Sequence, residues 1–177
     1  MEGTKLMTDL LSNREKCYIY IDGGCWPNPG GDMLYAYSIF DKKLYDVITD
    51  NKDITKLFTD NGVKEFGVGI IGPASDDASN NTAEYLALYN TLTMLSLNRI
   101  VDSDIIVISD SLMLIKQMNG IYKVRGGHYS YLYTKCIAKK KWLESKSNCK
   151  FEFEHTPREN NISGFALEIF REKFYHS

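Results

Sequence analysis

Residues 104–120 read DIIVISDSLMLIKQMNG. The opening stretch is a continuous, β-branched apolar run that ends at Asp110, the pattern of a strand covered on both faces. The stretch after it, SLMLIKQMNG (111–120), has helical spacing and closes at Gly120, a usual helix terminator. A buried strand that feeds a helix is the building unit of a parallel sheet. Upstream, CYIYID (17–22) is another β-rich run ending in an aspartate, followed by the Gly/Pro-dense turn GGCWPNPGGD. MLYAYSIF (33–40) and FGVGIIG (66–72) read as strands, and KLYDVITD (43–50) as a further candidate. The polar stretch 50–65 carries only a weak helical pattern, in KDITKLF. TAEYLALYNTLTMLSL (82–97) is apolar almost all round, which predicts a largely buried helix. Downstream, a helix over 129–145 presents the stripe Tyr129, Leu132, Tyr133, Cys136, Ile137, Leu143, with Lys139 to Lys141 opposite. FEFEH (151–155) alternates as a half-exposed strand, and Ser163 is placed to cap a last helix over 164–174. This order predicts an α/β fold: a mixed sheet with helices on both faces.

A chain of 177 residues, 44% hydrophobic and 25% charged, suits one globular domain and excludes a disordered or fibrous chain. The expected organisation is a mobile leader over 1–16 and a single domain over 17–177, with an insertion around 41–66. No apolar run approaches a membrane span, and the first 16 residues lack the apolar block of a signal peptide, so the expectation is a cytoplasmic protein without a membrane partner. Four scattered cysteines, with no CxxC pair, read as reduced thiols. The net charge is only −2, but Lys116 to Lys150 hold nine basic residues against Glu144 alone. That segment carries +8 and leaves −10 on the remainder, a distribution that suits a polyanionic partner or, more plainly, a solvated helix face.

If the strands ending in Asp22 and Asp110 are parallel neighbours, both carboxylates emerge at one edge of the sheet, where open α/β sheets place their sites. A third acid, Glu84, lies near the start of the apolar helix, and a lone buried carboxylate is costly. Three converging acids are tolerable around a cation, and hard oxygen ligands suit Mg²⁺. Two such ions about 3.5–4 Å apart can activate a water and stabilise a leaving oxygen in phosphodiester hydrolysis. Each aspartate taken singly is better explained as a turn residue at the end of a strand.

The flanking residues add more. IDGGCWPNPGG resembles the D-G-S-x-x-G-N-P-G signature of the type 1 ribonuclease H family. NNTAEYLALYNTL resembles its T-N-N-x-A-E-x-x-A-L segment, and ISDSLMLIKQMNGIYKV its S-D-S-x-x-V-x-x-x-N-G-x-Y-K-V segment. FEFEHTPRENN resembles its strand followed by H-x-P-R-E-x-N. The four blocks occur in the family's order and cover most of residues 17–170. The resemblance implies a ribonuclease H-like fold with a mixed five-stranded sheet. It implies a monomeric endonuclease that hydrolyses the RNA strand of an RNA–DNA hybrid, leaving a 3′-hydroxyl and a 5′-phosphate, with two Mg²⁺ or Mn²⁺ ions. Asp22, Glu84 and Asp110 match three of the family's four metal-binding carboxylates, Asp22 bridging both ions and the other two holding the second. Asn28, Ser79, Asn80 and Asn81 match positions that touch the nucleic-acid backbone or sense the RNA 2′-hydroxyl. His155 matches the histidine that opens the loop before the last helix.

The sequence also departs from the pattern. Phe165 stands where the family's fourth aspartate would, and phenylalanine ligates no metal. Glu168, one helical turn on, and Glu159, in the preceding loop, are the candidate replacements. Leu112 replaces a common Gln, Gly24 a Ser, and Pro27 a Gly. Three readings follow: an active ribonuclease H; a catalytically impaired module that binds hybrid, duplex or a protein partner; and a related nuclease acting on structured or double-stranded RNA.

Overall fold

The computed structural model describes residues 15–47, 53–98 and 103–175. Five strands form one sheet: β1 (Lys16–Trp26), β2 (Asp32–Phe40), β3 (Glu65–Gly72), β4 (Asp104–Ser109) and β5 (Phe151–His155), in the order β3-β2-β1-β4-β5. β1, β2 and β3 are antiparallel, whereas β4 runs parallel to both β1 and β5. The helices are α1 (Ile54–Asp60), α2 (Asn80–Asn98), α3 (Leu112–Met118), α4 (Ser130–Lys146) and α5 (Ile162–Tyr175). None in the described part of the chain is long and apolar enough to cross a membrane.

Strand pleating divides the core. Ile19, Ile21, Ile105, Val107 and Phe153 point to one face, where they pack with Tyr85, Leu88 and Leu92 of α2, Leu114 of α3, and Leu132 and Cys136 of α4. Tyr20, Phe40, Ile106 and Ile108 point to the other, against Leu57 and Phe58 of α1 and Ile162, Ala166 and Leu167 of α5. β4 is therefore buried on both sides, which is why its sequence is continuously apolar. The stripe on α4 is as expected: Leu132, Cys136 and Leu143 are buried, while Lys139 and Lys135 lie against the exposed aromatic rings Trp142 and Tyr131.

Several expectations are corrected. β1 does not stop at Asp22 but continues through Cys25 to Trp26, because β2 keeps pairing with it as far as Trp26–Asp32. The parallel pairing with β4 covers only Lys16 to Tyr20, so Asp22 lies just past the point where β1 loses one neighbour. Residues 43–47 form no strand: the Leu44 N–H donates to the Tyr20 hydroxyl and its carbonyl accepts from it, and Leu44 and Val47 are buried. The rest of that expected strand, 48–50, lies outside the described residues, as does the expected leader except Glu15 and Lys16. Ser163 is inside α5 rather than capping it; its hydroxyl donates to the Tyr20 carbonyl at 2.9 Å and meets the Ser38 hydroxyl at 2.7 Å.

β1 and the start of α2 approach closely at Gly23. A Cβ there would stand 2.4 Å from the Ala83 carbonyl and 2.5 Å from the Glu84 nitrogen, so only glycine fits. Its neighbour Gly24 has room: a Cβ would meet the Leu167 side chain at 3.4 Å. Gly23→Ala is expected to cost on the order of 2–3 kcal/mol in denaturant unfolding and Gly24→Ala less than about 1 kcal/mol. Equal costs for the two would disprove this account of the contact.

Candidate active site

Three elements bring one carboxylate each to a single point. Asp22 comes from β1 where the β4 pairing has ended, and Asp110 from the residue directly after β4. Glu84 comes from the first turns of α2, drawn in by the contact at Gly23. One ligand oxygen from each lies within 4.8 Å of the others. Asp22 is 2% exposed and Glu84 9%. Burial, and then the charge of Asp110, push the Asp22 carboxyl up to about 7. Burial and the charges of Asp22 and Asp110 push Glu84 well above the usual carboxylate range. Glu84 Oε2 is buried without a hydrogen-bond partner. A buried acceptor that faces two other carboxylates and has no donor is the arrangement a hard divalent cation satisfies, so the donor set fits Mg²⁺ or Mn²⁺.

Two residues before α5 hold this group. Asn161, 1% exposed, donates from Nδ2 to the Ile21 carbonyl at 3.0 Å and to Asp110 Oδ1 at 2.6 Å. It thus ties β1 to the end of β4. Arg158, in the 3₁₀ turn Arg158–Asn160, donates from Nη1 to Asp110 Oδ2 at 3.2 Å. Both lie in the HTPRENN block, yet nothing in its spacing shows that they reach Asp110. Gly164 is packed on Asp22: a Cβ there would stand 3.2 Å from Asp22 Oδ2.

The cleft over these groups is about 230 Å³ and is lined by Asp22, Glu84, Arg158, Glu168, Arg171 and Trp26, among others. Glu168 faces the cleft but is not one of the converging carboxylates; its Oε1 lies 3.5 Å from Arg171 Nη2. Phe165 is half-buried against the core on the α5 side. Glu159 is exposed, and His155 is exposed at the end of β5 beside Ser109.

Of the four polar residues expected to meet nucleic acid, Asn28 and Asn80 are bonded together at the cleft, and Ser79 and Asn81 flank Asn80 at the start of α2. Asn28 Oδ1 accepts from the Asn80 backbone N–H at 3.1 Å, and Asn80 Oδ1 accepts from the Cys25 N–H at 2.9 Å. Ser79 Oγ accepts from the Thr82 N–H at 3.2 Å and so caps α2. Asn28, Asn80 and Asn81 are exposed. These bonds fix the turn after β1 onto the start of α2 and leave the Asn28 and Asn80 amide groups as donors at the mouth of the cleft.

The sequence profile of the reverse transcriptase-like family matches residues 47–167, a span that includes Glu84, Asp110 and the loop with Arg158 and Asn161. Among solved structures, the ribonuclease LC11-RNase H1, isolated from compost by a metagenomic approach, is 26% identical; the match covers 90% of this chain and 98% of that one, with a TM-score of 0.67. The same ribonuclease in complex with an RNA/DNA hybrid matches 82% of this chain and 88% of its own, at 26% identity and a TM-score of 0.59. The N-terminal RNase H domain of a Mycobacterium tuberculosis protein, solved as a fusion with maltose-binding protein, is 25% identical over 86% of this chain and 95% of that one, with a TM-score of 0.60. The sheet order, the family profile and these matches agree: the chain belongs to the reverse transcriptase-like family and has a ribonuclease H-like fold, similar to that of type 1 ribonuclease H domains.

Proposed function

We propose that this chain is a divalent-metal-dependent endoribonuclease that hydrolyses the RNA strand of RNA–DNA hybrids. The observation that carries the reading is the buried convergence of Asp22, Glu84 and Asp110, with Glu84 Oε2 left without a partner. A fold that only bound nucleic acid would gain nothing from two buried carboxylates held against a third. Asp22, Glu84 and Asp110 would hold Mg²⁺ or Mn²⁺, which when bound lowers the pKa of a water and neutralises charge on the phosphate. Asn161 and Arg158 keep Asp110 oriented toward the other two carboxylates. Asn28, Ser79, Asn80 and Asn81 supply neutral donors suited to phosphate and sugar, which position a backbone without reading sequence. The hybrid-bound state of LC11-RNase H1 supports this substrate class.

Phe165 favours a second reading, a binding module that kept the fold and lost the chemistry. One experiment separates the two: an end-labelled hybrid incubated with the protein in Mg²⁺ and in Mn²⁺, beside Asp110→Asn. The expected outcome is cleavage of the RNA strand that falls by at least about 100-fold in the variant. Hybrid bound but uncut in both metals would leave the binding module. Cutting of double-stranded RNA in preference to the hybrid would point instead to the related nuclease.

The same carboxylates set the stability of the metal-free protein. Asp22 titrates higher in the folded state than its ordinary 3.8, so the folded chain holds more protons than the unfolded chain between about pH 4 and 7. Its contribution is favourable at acid pH and is lost as the pH rises through that window. Asp22→Asn is therefore expected to raise the metal-free melting temperature at pH 8 by on the order of 5 °C and to flatten its pH dependence. A variant that melts lower than the parent at pH 8 would contradict this.

A further inference from the structure

We infer that the outer face of α4 is a second nucleic-acid site, separate from the carboxylate cleft, which takes a single strand by its phosphates and the faces of its bases. Tyr131, Lys135, Lys139, Trp142 and Lys146 recur at intervals of three or four residues. At 3.6 residues per turn they fall within about 80° of the helix circumference and form one stripe. The stripe lies beside the seam with α2, where Lys135 Nζ is 5.8 Å from the centre of the Tyr89 ring. The same ammonium is 5.3 Å from the Tyr131 ring, and Lys139 Nζ is 5.5 Å from the Trp142 ring. Both rings are open to solvent, Tyr131 being 53% and Trp142 46% exposed. None of the five residues lines the carboxylate cleft, and α4 lies outside the four sequence blocks that carry the family resemblance.

An ordinary solvated helix face pairs its charges and hides its large rings, and this face does neither. Glu144, the one acid between Lys116 and Lys150, is taken by Lys140 at 2.7 Å and by the Phe151 N–H. Among the described residues, no carboxylate pairs with Lys135, Lys139 or Lys146. Unpaired ammonium groups suit phosphates, and aromatic rings interleaved with them suit bases. A duplex keeps its base faces stacked inside, so only a single strand uses the rings as well as the charges. An acidic protein segment would meet the lysines and leave the rings idle. The two exposed hydroxyls of this face, on Thr134 and Ser145, donate to the Ser130 and Trp142 carbonyls of their own helix, so neither is free to read a sugar. Tyr129, just before α4, stacks at 5.3 Å on Tyr85, the residue after Glu84, so the stripe begins at the cleft edge of the sheet. Glu144 fixes its other end to the start of β5, at the opposite edge. From Tyr131 to Trp142 it runs about 16 Å along the helix axis, room for a few nucleotides.

The test is the anisotropy of a dye-labelled oligothymidylate of about 15 nucleotides, titrated with the full chain in EDTA at low salt. Without divalent metal the result is independent of whether the carboxylates cut a hybrid. The chain is expected to bind, and in the Trp26→Phe background, where Trp142 is the one tryptophan left, binding is expected to quench its fluorescence. Trp142→Ala is expected to weaken binding about tenfold. Changing Lys135 and Lys139 together to Gln is expected to weaken it about tenfold and to lower the slope of log affinity against log salt by about 1.4, whereas changing both to Arg keeps it near the parent. Oligouridylate is expected to bind within about threefold of oligothymidylate, since nothing on the stripe reads the sugar. No binding by the parent would overturn the inference, as would binding that leaves Trp142 unquenched and survives the Lys135 and Lys139 changes. A preference of more than about tenfold for either sugar would overturn it too. Displacement by polyglutamate at the same phosphate-equivalent concentration would replace it with an acidic protein partner.

Discussion

Three carboxylates held against one another with little access to water are the constraint to which the rest of this structure answers. Left alone, Asp22, Glu84 and Asp110 repel, and the protein meets that cost with rigidity on every side. Gly23 lets α2 come close enough for Glu84 to join Asp22. Asn161 clamps Asp110 to the β1 backbone from a position with almost no exposure. Among the described residues, Arg158 adds the one positive charge in hydrogen-bonding contact with the group. None of these contacts is needed to fill the core, and each is needed to keep the three oxygens at one point.

The sheet explains why the point lies where it does. β1 is its central strand and has two different neighbours: β2, antiparallel and long, and β4, parallel and short. Where β4 ends, β1 runs on beside β2 alone, and a gap opens on the side that β4 has left. Asp22 and Asp110 flank that gap, and α2 and α5 close it from the two faces. The site is thus a product of unequal strand lengths within one sheet.

Much of this was legible in the sequence. The apolar run before Asp110 is continuous because β4 is covered on both faces, and the stripe on α4 is periodic because only one side meets the core. What hid from the sequence were features set by contacts across long separations. The extension of β1 past Asp22 is enforced by β2, overriding the turn signal in GGCWPNPGG. Leu44 is held by Tyr20 as an irregular segment, although KLYDVITD has a strand-like composition. Ser163 looks like a cap, yet its hydroxyl is taken by the Tyr20 carbonyl on the far side of the core interface. The roles of Arg158 and Asn161 depend on side-chain reach across 48 and 51 residues of chain, which no local pattern encodes.

The way α5 is attached has an evolutionary consequence. Ile162, Ala166 and Leu167 bury it, Ser163 bonds it to β1, and the Tyr175 hydroxyl donates to Asp32 at its far end. Position 165 lies between these anchors, where Phe165 is half-buried against the same core cluster. Ile162, Ala166 and Leu167 dock the helix without any carboxylate at that position. Selection for a well-folded chain therefore asks for an apolar contact at that position rather than a carboxylate, whereas it guards Gly23 and the other buried contacts directly. In such a domain the inventory of chemical groups is free to drift under neutral substitution while the architecture stays fixed, so descent can be read from the scaffold long after the catalytic repertoire has diverged.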